Sequence, residues 1–172
     1  MNDGPNLDAC ETLAQHQAIV WRIVRSFCSR NVDQDDLFQE ICVSIWAARE
    51  KFPSDVKPTT YVYRIALNRA ISWRRKRIKD RTRLSEYRRH EQQTGAHADA
   101  GREASMERSD DVRQLYRAIA ELKPPDRCVI LLVLDGLDYS EMSDILGISP
   151  AAVRKRVSRS KKRLMAMQEI RD

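Results

Sequence analysis

LDYSEMSDILGISPAAVRKRVSRSKKRL, residues 137–164, is the stretch on which the reading of this chain turns. Asp138, with Glu141 three residues on, makes a capping box and opens a helix carrying Met142, Ile145 and Leu146 on one side. Gly147 follows directly, where a helix commonly ends in a left-handed residue that glycine adopts without strain. Ser149 is then suited to cap the next helix and Pro150 to begin it, because the missing N–H of a proline has no helical partner there. A short helix, a glycine turn and a capped second helix form the outline of a helix-turn-helix.

The second helix has two chemically different sides. Val153, Val157, Ser160 and Leu164 recur at i, i+4, i+7 and i+11 and should pack inward. Arg154, Lys155, Ser158, Arg159 and Lys162 fall on the other side, where long cationic side chains can reach base edges and phosphates in a major groove. Ser149 and the helix N-terminus beside it can hold a phosphate. The plainer reading is a solvated helix with a basic face. Capping, turn and sidedness in one segment favour contact with duplex DNA instead.

The rest of the chain extends this pattern. The 172 residues include only five glycines, and apolar residues recur at helical spacing almost throughout, which predicts an all-α fold. The formal charge of +6 is unevenly spread. Residues 73–90 hold nine Lys or Arg against two acids, and residues 149–172 hold eight against two. Residues 33–55 hold six acids against two bases. Two basic blocks and one acidic segment imply two contacts with polyanions and one with something different.

The N-terminus, MNDGPNLDAC, has no apolar core of a leader peptide, and no apolar run approaches the roughly 20 residues of a membrane span. Membrane insertion is therefore not expected, and a reducing cytoplasm is. Cys10, Cys28, Cys42 and Cys128 are scattered, without paired spacing or a nearby histidine, so buried or incidental thiols are expected. His16, His90 and His97 suggest no site. No nucleophile–base pair, phosphate loop or metal-binding carboxylate set is visible, which leaves neither an enzyme nor a cofactor to propose.

Leu13–Cys28 reads as a helix with Ile19, Val20, Ile23, Val24 and Phe27 in its stripe, and Asp33–Lys51 as a second helix with acids at its favourable end. Two prolines make 52–58 a loop, and Thr59 or Thr60 can cap a third helix reaching about Lys79. The inner face of that helix would hold Tyr63, Ile65, Ala66, Ala70 and Ile71. Its segment TTYVYRIALNRAISWRRKR (59–77) mixes Tyr61, Tyr63 and Trp73 with Asn68, Ser72 and a basic end. Such a mixture suits unstacked single-stranded bases, and equally suits a core that uses its aromatics. Residues 91–111 lack large apolar side chains and read as a flexible linker. Val112–Leu122 and Asp126–Leu134 are two more short helices, with Pro125 in the first turn of the second. The organisation expected is two small helical domains, 1–90 and 112–172, joined by that linker.

With both halves in view, the chain resembles bacterial RNA polymerase sigma factors of the extracytoplasmic-function group. Asp35-Asp36-Leu37-Phe38-Gln39-Glu40, with Trp46 beyond, is similar to the family's acidic start of region two. Tyr63-Arg64-Ile65-Ala66-Leu67-Asn68 matches the start of its promoter-melting helix, and Leu122 through Leu164 matches region four, including Ala152–Arg156 in the recognition helix. The resemblance implies a non-enzymatic factor that binds core RNA polymerase and directs initiation at chosen promoters. It implies docking of Asp36, Gln39 and Glu40 on the clamp coiled coil of the largest subunit, with Trp46 in a structural role. The loop from Lys51 to Pro58 would shape a pocket for a flipped base of the minus-ten element. Asn68 would bond in that pocket with Ser72 nearby, and Arg74 and Arg75 would hold phosphates. Ser149, Arg154, Lys155, Ser158 and Arg159 would serve the minus-thirty-five element, with Arg156 and Lys162 on its backbone. An anti-sigma protein covering both domains is a further partner the resemblance allows.

Several positions depart from the family pattern. Tyr61 stands where a Trp is usual, Ser72 where an Asp is common, and Ala152 where Thr is frequent. Ser158 replaces a larger residue, and the pocket loop is flanked by prolines. Promoter preference is what these departures put in question. Two other classes stay open on sequence: a stand-alone helix-turn-helix regulator, which accounts for 137–164 alone, and a nucleic-acid-processing enzyme, which lacks its metal ligands.

Overall fold

A computed structural model describes residues 9–28, 30–49, 56–91 and 110–169, and all the regular structure in them is helical. The helices are α1 (Ala9–Phe27), α2 (Asn31–Ala48), α3 (Pro58–Glu91), α4 (Asp110–Glu121), α5 (Pro124–Leu134), α6 (Tyr139–Leu146) and α7 (Pro150–Glu169). The expected linker falls almost wholly on 92–109, outside the described residues. So do Lys51 and most of the loop assigned to the base pocket.

The first three helices pack on one another. Val20, Ile23 and Val24 of α1 meet Leu37, Ile41 and Ile45 of α2 and Val62, Ala66, Leu67 and Ala70 of α3 in a core closed to water. The small side chains of Ala66 and Ala70 let α3 approach closely. Burying residues the size of Leu37 or Ile41 contributes about 1.5–3 kcal/mol each. Trp21 and Phe38 stack at 4.3 Å between ring centroids, 15° from parallel, closing the α1–α2 edge. His16 ties the start of α3 to α1. Its Nδ1 lies 2.8 Å from the carbonyl of Thr12 and its Nε2 lies 2.9 Å from Thr59 Oγ1. The carbonyl can only accept, so Nδ1 carries a proton and donates to it.

The remaining helices surround α7, which packs against α4, α5 and α6. Pro124 and Pro125 occupy the first two positions of α5, and Val129, Ile130, Leu131 and Leu132 are buried, so that α5 is enclosed on nearly every side. Arg163 of α7 pairs with Asp126 in the first turn of α5. The two bundles also touch, α3 against α6 and α1 against α4.

One expectation changes, and one open alternative is decided in favour of the inner-face reading. The third helix does not stop near Lys79 but continues to Glu91, since residues 76–91 contain no proline or glycine to break it. Tyr63 is turned inward, 3% exposed, as part of the core. It is not a platform for a base.

Candidate nucleic-acid interface

The turn that presents α7 is built as its residue types require. Asp138 accepts hydrogen bonds at 2.8 Å from the amides of Ser140 and Glu141, and the Glu141 carboxylate accepts one from the Asp138 amide at 3.2 Å. The capping box is complete. Gly147 closes α6 at φ +65°, left-handed, with its amide donating to the Ser143 carbonyl. The Ser143 hydroxyl donates to the Ile148 carbonyl at 2.6 Å and fixes the turn from inside. Ser149 then caps α7, its Oγ accepting from the Ala152 amide at 3.3 Å.

On α7 the two sides separate as the spacing predicts. Val153, Val157, Ser160 and Leu164 are buried. Arg154, Lys155, Ser158, Arg159 and Lys162 are exposed, and Arg156 is half-buried at the border. The Arg154 guanidinium lies 5.6 Å from the ring centroid of Tyr139, a cation–π contact that links the two helices of the motif. Tyr139 was not among the residues singled out from sequence. Only its place at the start of α6, next to its cap, could have marked it.

The second basic surface lies on α3. Asn68, Ser72 and Arg75 are exposed and follow one another at i, i+4 and i+7, so they share a face, which Lys79 extends by another turn. Arg74 is half-buried beside it. Of the aromatics, Tyr61 donates to the Ala48 carbonyl at 3.3 Å, and Trp73 packs on the core with the Arg77 guanidinium 5.0 Å from its ring. The face is therefore polar and cationic, and its aromatics are spent on packing. Arg69 anchors the same helix to α2 through Ser44 Oγ, at 2.9 and 2.7 Å.

The third surface is the outer side of α2. Asp36, Gln39 and Glu40 are exposed. Between and beyond them stand Val32, 67% exposed, Val43, 66%, and Trp46, 47%. Val32, Asp36, Gln39, Val43 and Trp46 run at i, i+4, i+7, i+11 and i+14, a seam of the kind one helix offers to a coiled coil. The structural role expected for Trp46 is thus corrected: its ring faces outward, with the Arg49 guanidinium 4.6 Å from the centroid. Core positions of α2 were already filled by Leu37, Ile41 and Ile45. Asp33 departs in the other direction, buried and paired with Arg77.

Residues 12–79 match the model of sigma-70 region 2, and residues 112–164 match that of sigma-70 region 4. The chain is 26% identical over 161 residues to the RNA polymerase sigma factor CnrH of Cupriavidus metallidurans, covering 91% of this chain and 84% of that protein. It is 28% identical over 148 residues to the extracytoplasmic-function sigma-E factor of Escherichia coli, covering 80% and 76%. The chain belongs to the sigma-70 family, in its extracytoplasmic-function group. As an alternative sigma factor it binds core RNA polymerase and directs promoter-specific initiation.

The fold of this sigma factor is shared with solved relatives. CnrH in complex with the cytosolic domain of CnrY superposes with a TM-score of 0.66 at 22% identity, over 95% of this chain and 89% of that one. The sigma factor RpoE bound to the anti-sigma factor NepR, from Bartonella quintana, gives 0.71 at 20%, over 95% and 98%. A stand-alone regulator would leave the region 2 match without an account, so that reading is not favoured. Among the described residues no helix is long and apolar enough to cross a membrane.

Proposed function

We propose that the sigma factor divides initiation among the three surfaces just described. The face of α7 with Arg154, Lys155, Ser158 and Arg159 reads the minus-thirty-five element in the major groove, with Ser149, Arg156 and Lys162 on phosphates. The face of α3 with Asn68, Ser72, Arg74 and Arg75 holds the minus-ten strand, with Lys51 from the preceding loop. The seam of α2 docks on the clamp coiled coil of polymerase's largest subunit, its acids Asp36 and Glu40 and the amide of Gln39 framing the apolar contacts of Val43 and Trp46.

The observation that carries this reading is the two-sidedness of α7, apolar side chains buried and long cations outside on a capped and rigidly turned helix. Apolar and charged groups so placed select a polyanion with a groove, not a membrane or a small anion. In this reading residues 1–90 and 112–172 are the two functional domains, the bond-making is polymerase's own, and the protein acts in the cytoplasm. An anti-sigma protein is a proposed partner, as one is for RpoE of Bartonella quintana. Transcription from fragmented genomic DNA with core polymerase and the purified chain tests the reading. New discrete start sites that vanish when Arg154 and Arg159 are replaced by Ala are expected. Start sites indifferent to both replacements would remove α7 from promoter readout.

A further inference from the structure

Along its length α3 changes character. Its last buried residue among those described is Ala70, and Trp73, Arg74 and Arg77 are half-buried. From Ile78 on, the residues whose exposure is described, Ile78, Lys79, Asp80, Thr82 and Arg83, are all exposed, while the helix continues. It therefore leaves the bundle at Ile78. The point of departure is firmly held, because Arg77 pairs with Asp33 of α2 and lies 5.0 Å from the ring centroid of Trp73.

Ile78 is the large apolar side chain that stands exposed on α3 among the described residues, at 55%. Its neighbours on the helix surface are cations, Arg74 at i−4, Arg75 at i−3 and the adjoining Lys79. At about 100° per residue it lies roughly 60° round the helix from Arg75. That places it on the border of the face carrying Asn68, Ser72, Arg75 and Lys79. A single exposed apolar side chain is ordinary on a protein surface. One set among cations that hold a nucleic-acid backbone is not, because bound phosphates bring it against sugars and bases.

The direction of α3 supplies the place. Ile78 follows Asn68 by ten residues, about 15 Å along the helix axis. Beyond it the chain proceeds toward the helix-turn-helix, which serves the promoter element lying further upstream. With a flipped base at Asn68, Ile78 thus lies on the upstream side of that base, at a span of about four stacked bases of about 3.4 Å each. There the held single strand must meet paired DNA. Tyr61, Tyr63 and Trp73 are occupied in packing and leave that junction to Ile78.

We propose that Ile78 is a wedge at the upstream edge of the melted DNA, entering between the last paired and the first unpaired base while Arg74, Arg75 and Lys79 hold the phosphates around it. The proposal rests on the reading of α3 as the helix that binds the minus-ten strand. Isoleucine is among the side chains that can part a base step when nearby cations keep the backbone close. Its insertion also takes an apolar group out of water, a gain available only once the step has opened. The wedge therefore favours the open state over the closed one, and the Asp33–Arg77 pair gives it a fixed base.

Promoter opening by holoenzyme tests this, with fluorescent aminopurine placed in turn at each base across the upstream edge of the minus-ten element. Wild type is expected to show a rise in fluorescence at one step of that edge. Ile78→Ser, which removes apolar bulk from an already exposed position, is expected to lose that rise and to slow opening about tenfold. Ile78→Leu is expected to retain both. On a template mismatched beforehand through the minus-ten region, Ile78→Ser is expected to bind as wild type does, since no step remains to be opened. Opening by Ile78→Ser at the wild-type rate overturns the proposal. So does an equal loss on the mismatched template, which would make Ile78 a binding contact and not a wedge. Binding of the minus-ten single strand to holoenzyme separates the wedge from the reading beneath it, since Asn68→Ala with Arg75→Ala must weaken it. If it weakens and Ile78→Ser opens normally, the wedge alone fails. If it does not weaken, α3 is not the strand-binding helix and the wedge falls with it.

Discussion

Asp33 and Arg77, separated by 44 residues in sequence, form an ion pair that pins the first turn of α2 to the middle of α3. Asp33 is nearly buried, while the Arg77 side chain is 40% exposed and also covers Trp73. Removing the acid leaves a cation that can rehydrate, so the cost is moderate. Asp33→Ala is expected to destabilise the α1–α3 bundle by about 1–2 kcal/mol, less than the loss of a wholly buried pair. A urea midpoint lowered with unchanged slope would confirm it. Wild-type stability would reduce the pair to a surface contact.

Tyr139 and Arg154 give the recognition face a testable detail. The ring restrains the guanidinium at the side of α7, which should lessen the ordering cost of a base contact. Arg154→Ala is expected to weaken promoter affinity by about 1–3 kcal/mol and relax preference at one position. Tyr139→Ala is expected to cost about 0.5–1 kcal/mol of the same binding without changing the preferred base. Competition between duplex variants on holoenzyme separates the two effects. Equal losses on every sequence would mean that Arg154 contacts phosphate only.

Gly147 carries the turn between α6 and α7. A Cβ there would meet no atom within 4 Å, so crowding is not the issue. Its φ of +65° is, because an L side chain strains the left-handed conformation. Gly147→Ala is expected to cost about 1–2 kcal/mol in thermal or urea unfolding, and Gly147→Asn less, since Asn tolerates that region. Identical losses for both would point to something other than the backbone angle.

Those three cases also mark what could be seen in the sequence. Capping, the left-handed glycine and the sidedness of α7 are local rules, and residues 137–164 obey them all. Tertiary pairing is not local. Asp33 read as one acid among several, because nothing between positions 33 and 77 announces that Arg77 comes round to meet it. Trp46 had a structural role from the family resemblance alone, yet Leu37, Ile41 and Ile45 already complete the inner face of α2. Tyr63 was legible as an inner-face residue, but its hydroxyl needed Asp135 from the other bundle, which accepts it at 2.6 Å. Arg127, buried and donating to the carbonyls of Ile119, Leu122 and Ser26, left no trace at all, since an arginine bound to carbonyls has no partner that sequence can name.

Cys28 and Cys128 are both buried, and burial pushes each thiol up to about 12 from an ordinary 9.0. Thiolate is the reactive form, so both should resist alkylation in the folded chain at pH 8 and react on unfolding. Peptide mapping after a brief iodoacetamide pulse reads this directly. The sign of the linkage follows from the raised values. The folded chain disfavours the thiolate, so this stability is intact below pH 9 and is lost as pH rises towards 12. Fast labelling of either thiol under native conditions would show that its surroundings open readily.

The seam of α2 makes two separable demands on polymerase binding. Acids Asp36 and Glu40 should act through charge, steering the encounter and weakening with salt, whereas Val43 and Trp46 should act through buried area that salt leaves alone. Asp36→Lys with Glu40→Lys is therefore expected to slow association with core polymerase and to flatten its salt dependence. Trp46→Ala is expected to speed dissociation by tenfold or more, as a central aromatic does at an interface, an effect of about 2 kcal/mol. Both variants should fold normally, because all three side chains face outward. Surface-captured polymerase at two salt concentrations resolves the rates. Should Trp46→Ala leave dissociation unchanged while the lysine pair abolishes binding, the contact is electrostatic and the ring serves only to hold Arg49.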